Sequence, residues 1–313
     1  MAQLKPRVFL AGARLVWRQQ RALWIIYAAN LLLAIAGTRG SLWRMGKILN
    51  HSVAADRLVH GFDLAAYSEL RLHPSMPFEA SRQETMFCVF LFVIFMLFAT
   101  GGLLRTYYED RPMHAGTFFE ACGENFWRLC RLAIYFVIAL VPIGILASVA
   151  GVEFGRIDRR SISSYSSFYF LAVAIVLLAA MALSARLWFD MAELLAVSEG
   201  QENMWRALKS AAKLLRGNFF RLFWVYLRIS LVGWIGFWLG LHLWMEHVRP
   251  EATAQSLLVS QALIVFWLAT RLWQRASGAL WLRQYEPQLN VAATSAPEPP
   301  IPAEAARLEP ASS

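Results

Sequence analysis

Residues 85–104 read TMFCVFLFVIFMLFATGGLL, a run without a charged side chain. At 1.5 Å rise per helical residue such a run spans about 30 Å, the thickness of a bilayer's hydrocarbon core. In lipid every backbone N–H and C=O must be satisfied within the segment itself, so an isolated apolar run of this length reads as a transmembrane helix. Working outward, five further apolar runs meet the same criterion with their interfacial flanks, at about 22–37, 132–151, 165–185, 222–243 and 256–272. The expected fold is all-α, a polytopic membrane bundle of six transmembrane helices.

Composition agrees. Of 313 residues, 58% are hydrophobic and 16% charged, against about 45–50% and 25% in soluble domains. An ordinary water-soluble globule is excluded, and so is disorder over most of the chain. Cys88, Cys122 and Cys130 form no CxxC pair and no metal-like spacing, so they read as small apolar fillers.

Positively charged loops resist translocation, which makes the placement of Lys and Arg an orientation signal. With the N-terminus in the cytoplasm, inner segments hold roughly twice as many cations as outer ones. Both termini are therefore expected inside, on the cytoplasmic face. Arg156, Arg159 and Arg160 run against this rule, in a short outer loop. The formal charge of +9 is then mostly topological, and nucleic acid is not an expected partner. Trp24, Trp127, Trp188, Trp224, Trp244 and Trp273 lie near run ends, where amphipathic rings favour the headgroup level. In the first run, Ala34-Ile35-Ala36 looks like a signal-peptidase site, but the preceding basic segment is longer than a usual leader, so an uncleaved anchor is expected.

The membrane domain is expected over 1–285, with an outer loop at about 39–84 in which His60-Gly61-Phe62-Asp63 can form a capped turn. After Glu286 the chain turns to Pro, Ala and Ser, and 286–313 reads as a disordered cytoplasmic tail. Before the fifth span, Met204, Leu208, Ala211 and Leu215 recur at helical spacing opposite a stripe of Arg206, Lys209, Lys213 and Arg216. This pattern predicts a helix lying along the cytoplasmic interface with its cations toward lipid phosphates. Ser198 with Gln201 can cap its start and Gly217 its end. A second interfacial segment is expected from Thr117, with Thr117-x-x-Glu120 as a capping box, to Gly123. Sealing the bundle is the plainer role for both, headgroup binding or partner docking the functional one.

Short matches link these regions. Asn125-Phe126-Trp127-Arg128-Leu129 parallels Asn218-Phe219-Phe220-Arg221-Leu222, Arg186-Leu187-Trp188 parallels Arg271-Leu272-Trp273, and Arg21-x-x-Trp24 echoes Arg221-x-x-Trp224. They suggest three successive helical hairpins related by a parallel repeat, although interfaces favour Arg and Trp in any case.

Glu193, Ala207-Leu208-x-Ser210, Leu215 and Gly217-Asn218-Phe219 resemble the pattern of uncharacterised six-helix bacterial inner-membrane proteins, similar to the membrane domain of some glycerophosphodiester phosphodiesterases. Gly101-Gly102, Phe118-Phe119, Cys122-Gly123 and Phe126-Trp127-Arg128 look like such proteins too, so the resemblance covers about 85–285. It implies the six-span architecture. The phosphodiesterase domain itself has no counterpart here, and none of its chemistry carries over.

Arg228 lies inside the fifth run, where a lone charge is costly and faces a bundle interior or a watery cavity. Asp190 and Glu193, at the inner end of the fourth span, are its expected partners, and Arg186 completes the candidate polar cluster. An anion or headgroup site is the functional reading of this cluster, and a snorkelling or structural ion pair the plainer one. Gly233, Gly236 and Gly240 have the small-residue spacing that brings helices close, within one bundle or between two copies. Pro142 is expected to kink the third span. The histidines form no HExxH, and GxSxG and P-loop motifs are absent, so no catalytic centre or cofactor is expected. Glu109-Asp110 reads as a solvated acidic pair. The chain therefore reads as a lipid-interacting or partner-binding envelope component. A small permease with a cavity near Arg228 and a lipid-modifying enzyme are the alternatives. Expected partners are membrane lipids and a membrane protein or second copy of the chain.

Overall fold

Each of the six apolar runs lies within one long helix of the computed structural model, which describes residues 7–50, 68, 78–110, 114–160, 164–200, 203–248 and 252–294. In chain order the helices are α1 (Arg7–Arg18), α2 (Gln20–Leu49), α3 (Phe78–Glu109), α4 (Ala115–Arg160), α5 (Ser164–Ser198), α6 (Met204–Arg216), α7 (Phe219–His247) and α8 (Thr253–Thr294). No strand occurs among the described residues. The helices α2, α3, α4, α5, α7 and α8 are each long and apolar enough to cross a membrane. They form three hairpins, α2–α3, α4–α5 and α7–α8, whose helices pack on each other within each pair.

Several expected boundaries move. Residues 39–49 and 78–84, assigned from sequence to the outer loop, continue α2 and α3. Arg44 Nη2 sits 2.7 Å from Glu84 Oε2 across that hairpin, so opposite charges extend the pairing beyond the apolar runs. His60 and Asp63 lie outside the described residues. At the other end α8 runs on to Thr294, past the point where the tail was expected to begin. The segment after Thr117 is not a separate interfacial helix but the first turns of α4, 46 residues long. Thr117 Oγ1 donates to the His114 carbonyl at 3.1 Å, so it is no cap. Pro142 lies inside this same continuous helix.

The twelve residues of α1 are a helix where the sequence had suggested only a basic segment before the first span. Val8, Gly12, Leu15 and Val16 face inward, at i, i+4, i+7 and i+8, while Arg14 and Arg18 face out. For α6 the expected faces hold: Met204, Leu208, Ala211 and Leu215 are buried and Arg206, Lys209, Lys213 and Arg216 exposed. Its cap differs from the expected Ser198 and Gln201 pairing. Asn203 accepts a hydrogen bond from Trp205 N at 3.1 Å, satisfying one of the free N–H groups that open any helix.

The amphipathic segments, α1, the start of α4 and α6, each lead into one hairpin and pack on the second helix of another: α1 on α8, the α4 start on α3, and α6 on α5. Two of these junctions use the same device. Trp188 of α5 donates its indole N–H to the Leu208 carbonyl at 3.0 Å, and Trp273 of α8 donates to the Phe9 carbonyl at 2.7 Å. The matching Arg-Leu-Trp triplets thus hold equivalent places. At the third junction the close approach is made by Gly102, where a methyl would lie 2.6 Å from the Phe118 carbonyl oxygen. W188F and W273F should each lower stability by about 1 kcal/mol, as one net hydrogen bond is lost. Thermal unfolding in detergent micelles checks this.

The second helices α3, α5 and α8 also touch one another. Their contact lies at the end carrying the amphipathic segments, where Leu103, Leu104, Leu187, Met191, Leu194, Leu272, Ala276 and Ala279 are buried with Leu222 and Tyr226 of α7. Farther along, Ile134, Val137 and Val141 of α4 and Phe168, Val173 and Val176 of α5 are exposed. Lipid tails solvate such side chains as well as protein does, so burying them gains little.

Candidate functional site

Arg186, Asp190 and Glu193 are spaced i, i+4 and i+7, which places them on one face of α5. That face meets α8, where Arg275 enters the cluster. Arg275 Nη2 lies 3.2 Å from Glu193 Oε2, and its Nε lies 4.0 Å from Asp190 Oδ1. Arg186 Nε approaches Asp190 Oδ2 at 3.6 Å. From α3, Thr100 Oγ1 accepts from Arg275 Nη1 at 2.9 Å, while its own hydroxyl donates to the Met96 carbonyl at 2.6 Å. Two cations and two carboxylates therefore balance where α3, α5 and α8 meet. Beside the cluster, Gly278 of α8 leaves room for Met191 and Tyr226, since a methyl there would sit 2.6 Å from Met191 Cε and 3.0 Å from the Tyr226 hydroxyl.

Arg228 is not part of this cluster. Its side chain is exposed on α7 and its guanidinium carbon lies 5.2 Å from the centre of the Trp224 ring, a cation–π geometry. The inward face of α7 carries Leu222, Tyr226, Ile229 and Gly233, and Arg228 is about 140° around the helix from Gly233. Arg275 fills the place the sequence had suggested for it.

The three glycines of α7 all face α8. Gly233 stands opposite Thr270, Gly236 opposite the Phe266 ring and Gly240 opposite Leu263. Their smallness serves packing inside this bundle. Glu109 and Asp110, expected to be solvated, are engaged: Glu109 Oε1 accepts from Arg105 at 3.0 Å, and Asp110 pairs with Arg18 of α1 and, at 3.4 Å, with Arg283 of α8. Asp110 ends α3 with φ at 55°, a left-handed conformation that Asp tolerates better than most residues. These pairs tie the first and last helices of the chain to the end of α3.

Around this core the surface is basic and aromatic. Arg206, Lys209, Lys213 and Arg216 join no ion pair among the described residues. Lys209 Nζ sits 5.3 Å from the centre of the Trp205 ring, and Trp17, Trp127 and Phe220 are exposed at the same end. Away from it, a cavity of about 550 Å³ between α2, α3, α7 and α8 is lined by Phe92, Trp234, Phe237, Trp244 and Trp267, with Asn30 as a polar member. Arg228 does not line it.

Six helices fit to cross a bilayer, arranged as three hairpins around a charge-balanced core, define an integral multi-pass membrane protein. No family model, curated protein or solved structure matches the chain.

Proposed function

We propose that the protein is a non-enzymatic component of a bacterial inner membrane that gathers anionic lipid at its basic end. On this reading both termini and the amphipathic segments lie on the cytoplasmic side, and the chain belongs with the six-helix inner-membrane proteins it resembles. One observation carries the proposal: α6 buries its apolar face against α5 and turns four unpaired cations outward, beside Trp205. An interfacial helix of this kind lies with its cations at the level of lipid phosphates. Each basic residue near an anionic leaflet contributes about 1 kcal/mol. The central cluster, by contrast, has its charges cancelled internally, which suits holding helices together better than passing an ion.

The test is lipid selectivity of the reconstituted protein, measured by electron paramagnetic resonance with spin-labelled phosphatidylglycerol and phosphatidylcholine. The wild type should immobilise phosphatidylglycerol preferentially. The variant R206Q/K209Q/K213Q/R216Q should lose most of that preference, by about tenfold or more. Equal selectivity in the two proteins refutes the proposal.

A further inference from the structure

Where α4 meets α6, Arg131, Ile134, Tyr135, Asn203, Met204 and Trp205 line an open cleft of about 580 Å³. Arg131, Ile134 and Tyr135 are spaced i, i+3 and i+4, so they share a face of α4. Arg131 is exposed and has no ion pair or hydrogen bond among the described residues. It immediately precedes the apolar run at 132–151, which puts its guanidinium at the depth of lipid phosphates. Across the cleft, Tyr135 and Trp205 bring their ring centroids to 6.3 Å from two different helices. Asn203 is committed to capping α6, and Lys209 lies over the Trp205 ring. Among its described residues the cleft therefore offers one free cation at its mouth, two amphipathic rings as walls and an aliphatic lining from Ile134 and Met204. No acidic side chain lines it among the described residues. The neighbouring cleft of about 390 Å³ differs in this respect, because its Arg105 is neutralised by Glu109 and Glu124.

We propose that the α4–α6 cleft is a binding site for one anionic phospholipid, with Arg131 on the phosphate and Ile134, Tyr135 and Trp205 against the glycerol and upper acyl chain. Arginine suits this task because its planar fork meets phosphate oxygens two at a time. The inference rests on the basic end facing an anionic leaflet, and it adds a single discrete site to the diffuse attraction of the α6 stripe.

Native mass spectrometry of the full chain, delipidated in detergent and titrated with phosphatidylglycerol or phosphatidylcholine, tests it. Expected for the wild type is one phosphatidylglycerol retained well above the rest, at least tenfold tighter than phosphatidylcholine. R131Q should lose that tenfold preference for the first lipid, R131K should recover part of it, and the α6 quadruple variant should keep it. Retention in R131Q equal to the wild type overturns the proposal. So does loss of the first lipid in the quadruple variant, in which Arg131 is intact, because that result leaves only general attraction to the stripe. Displacement of the lipid by millimolar glycerol phosphate would make the site one for soluble phosphate esters and overturn the lipid assignment. The quadruple variant's selectivity for spin-labelled lipid is read separately, so failure of the cleft and failure of the general reading give different results.

Discussion

Replacing Arg275 with methionine is expected to cost about 3 kcal/mol, because removing one partner of a largely buried ion pair leaves the others uncompensated. Glu193 would lose its 3.2 Å contact and Asp190 would keep only Arg186 at 3.6 Å. The four-residue network need not be a net source of stability, since desolvating its charges offsets most of their attraction. Breaking it unevenly is what costs. Two comparisons give the prediction its edge. R228M, at an exposed position over Trp224, should cost less than about 1 kcal/mol. Adding E193Q to R275M should recover part of the loss, because the double variant carries one buried charge fewer. Denaturant unfolding in detergent micelles reads all three. Equal effects of R275M and R228M would show that the cluster does not hold α5 to α8.

The contrast between these two arginines marks where the sequence was legible and where it was not. Hydropathy locates a charge along the membrane normal, and by that measure Arg228, deep in an apolar run, stands out while Arg275, two residues beyond Trp273, does not. Burial depends on the angle around the helix instead. That angle was partly written in α7: the glycine stripe at 233, 236 and 240, continued back through Ile229, Tyr226 and Leu222, leaves Arg228 off the inward face. For Arg275 the signal was the small run Ala276-Ser277-Gly278-Ala279, which lets a neighbouring helix come close enough to bury it. The six spans were legible because apolar length alone decides them. The α6 stripe was legible because charge and apolar residues alternate with the helical period. The helical α1 was missed because its cations invited a reading by charge, although Val8, Gly12, Leu15 and Val16 carry the helical spacing.

The order of packing explains why the short matches recur where they do. Each amphipathic segment rests on the second helix of a different hairpin, and α1 closes the set by resting on α8. Trp188 and Trp273 make equivalent bonds to the segments above them. The matches therefore mark junctions between hairpins, and interfacial preference alone does not account for them. The charge-balanced core sits where the three second helices meet, beneath those junctions. A helix that pulled away from the core would disturb its own junction as well, which couples the basic surface to the buried ions.

The third junction has no tryptophan, and its tolerance for side chains is correspondingly small. A methyl on Gly102 would lie 2.6 Å from the Phe118 carbonyl oxygen, 2.6 Å from Cys122 Sγ and 2.8 Å from Phe118 Cδ2. A flexible side chain could swing aside, but the carbonyl belongs to the first turns of α4 and moves only if that helix moves. G102A should therefore cost about 1–3 kcal/mol, and G102V more, as overpacking forces backbone shifts. Gly123 supplies the matched control. It lies within α4, is exposed and has nothing within 4 Å of an added methyl. There G123A should leave stability unchanged or raise it by about 0.5–1 kcal/mol, since alanine loses less backbone entropy in a helix. Thermal unfolding of the two variants side by side in one detergent decides the matter. If G102A proved as benign as G123A, α3 and α4 would not approach at this point, and the close contact at the third junction would fall.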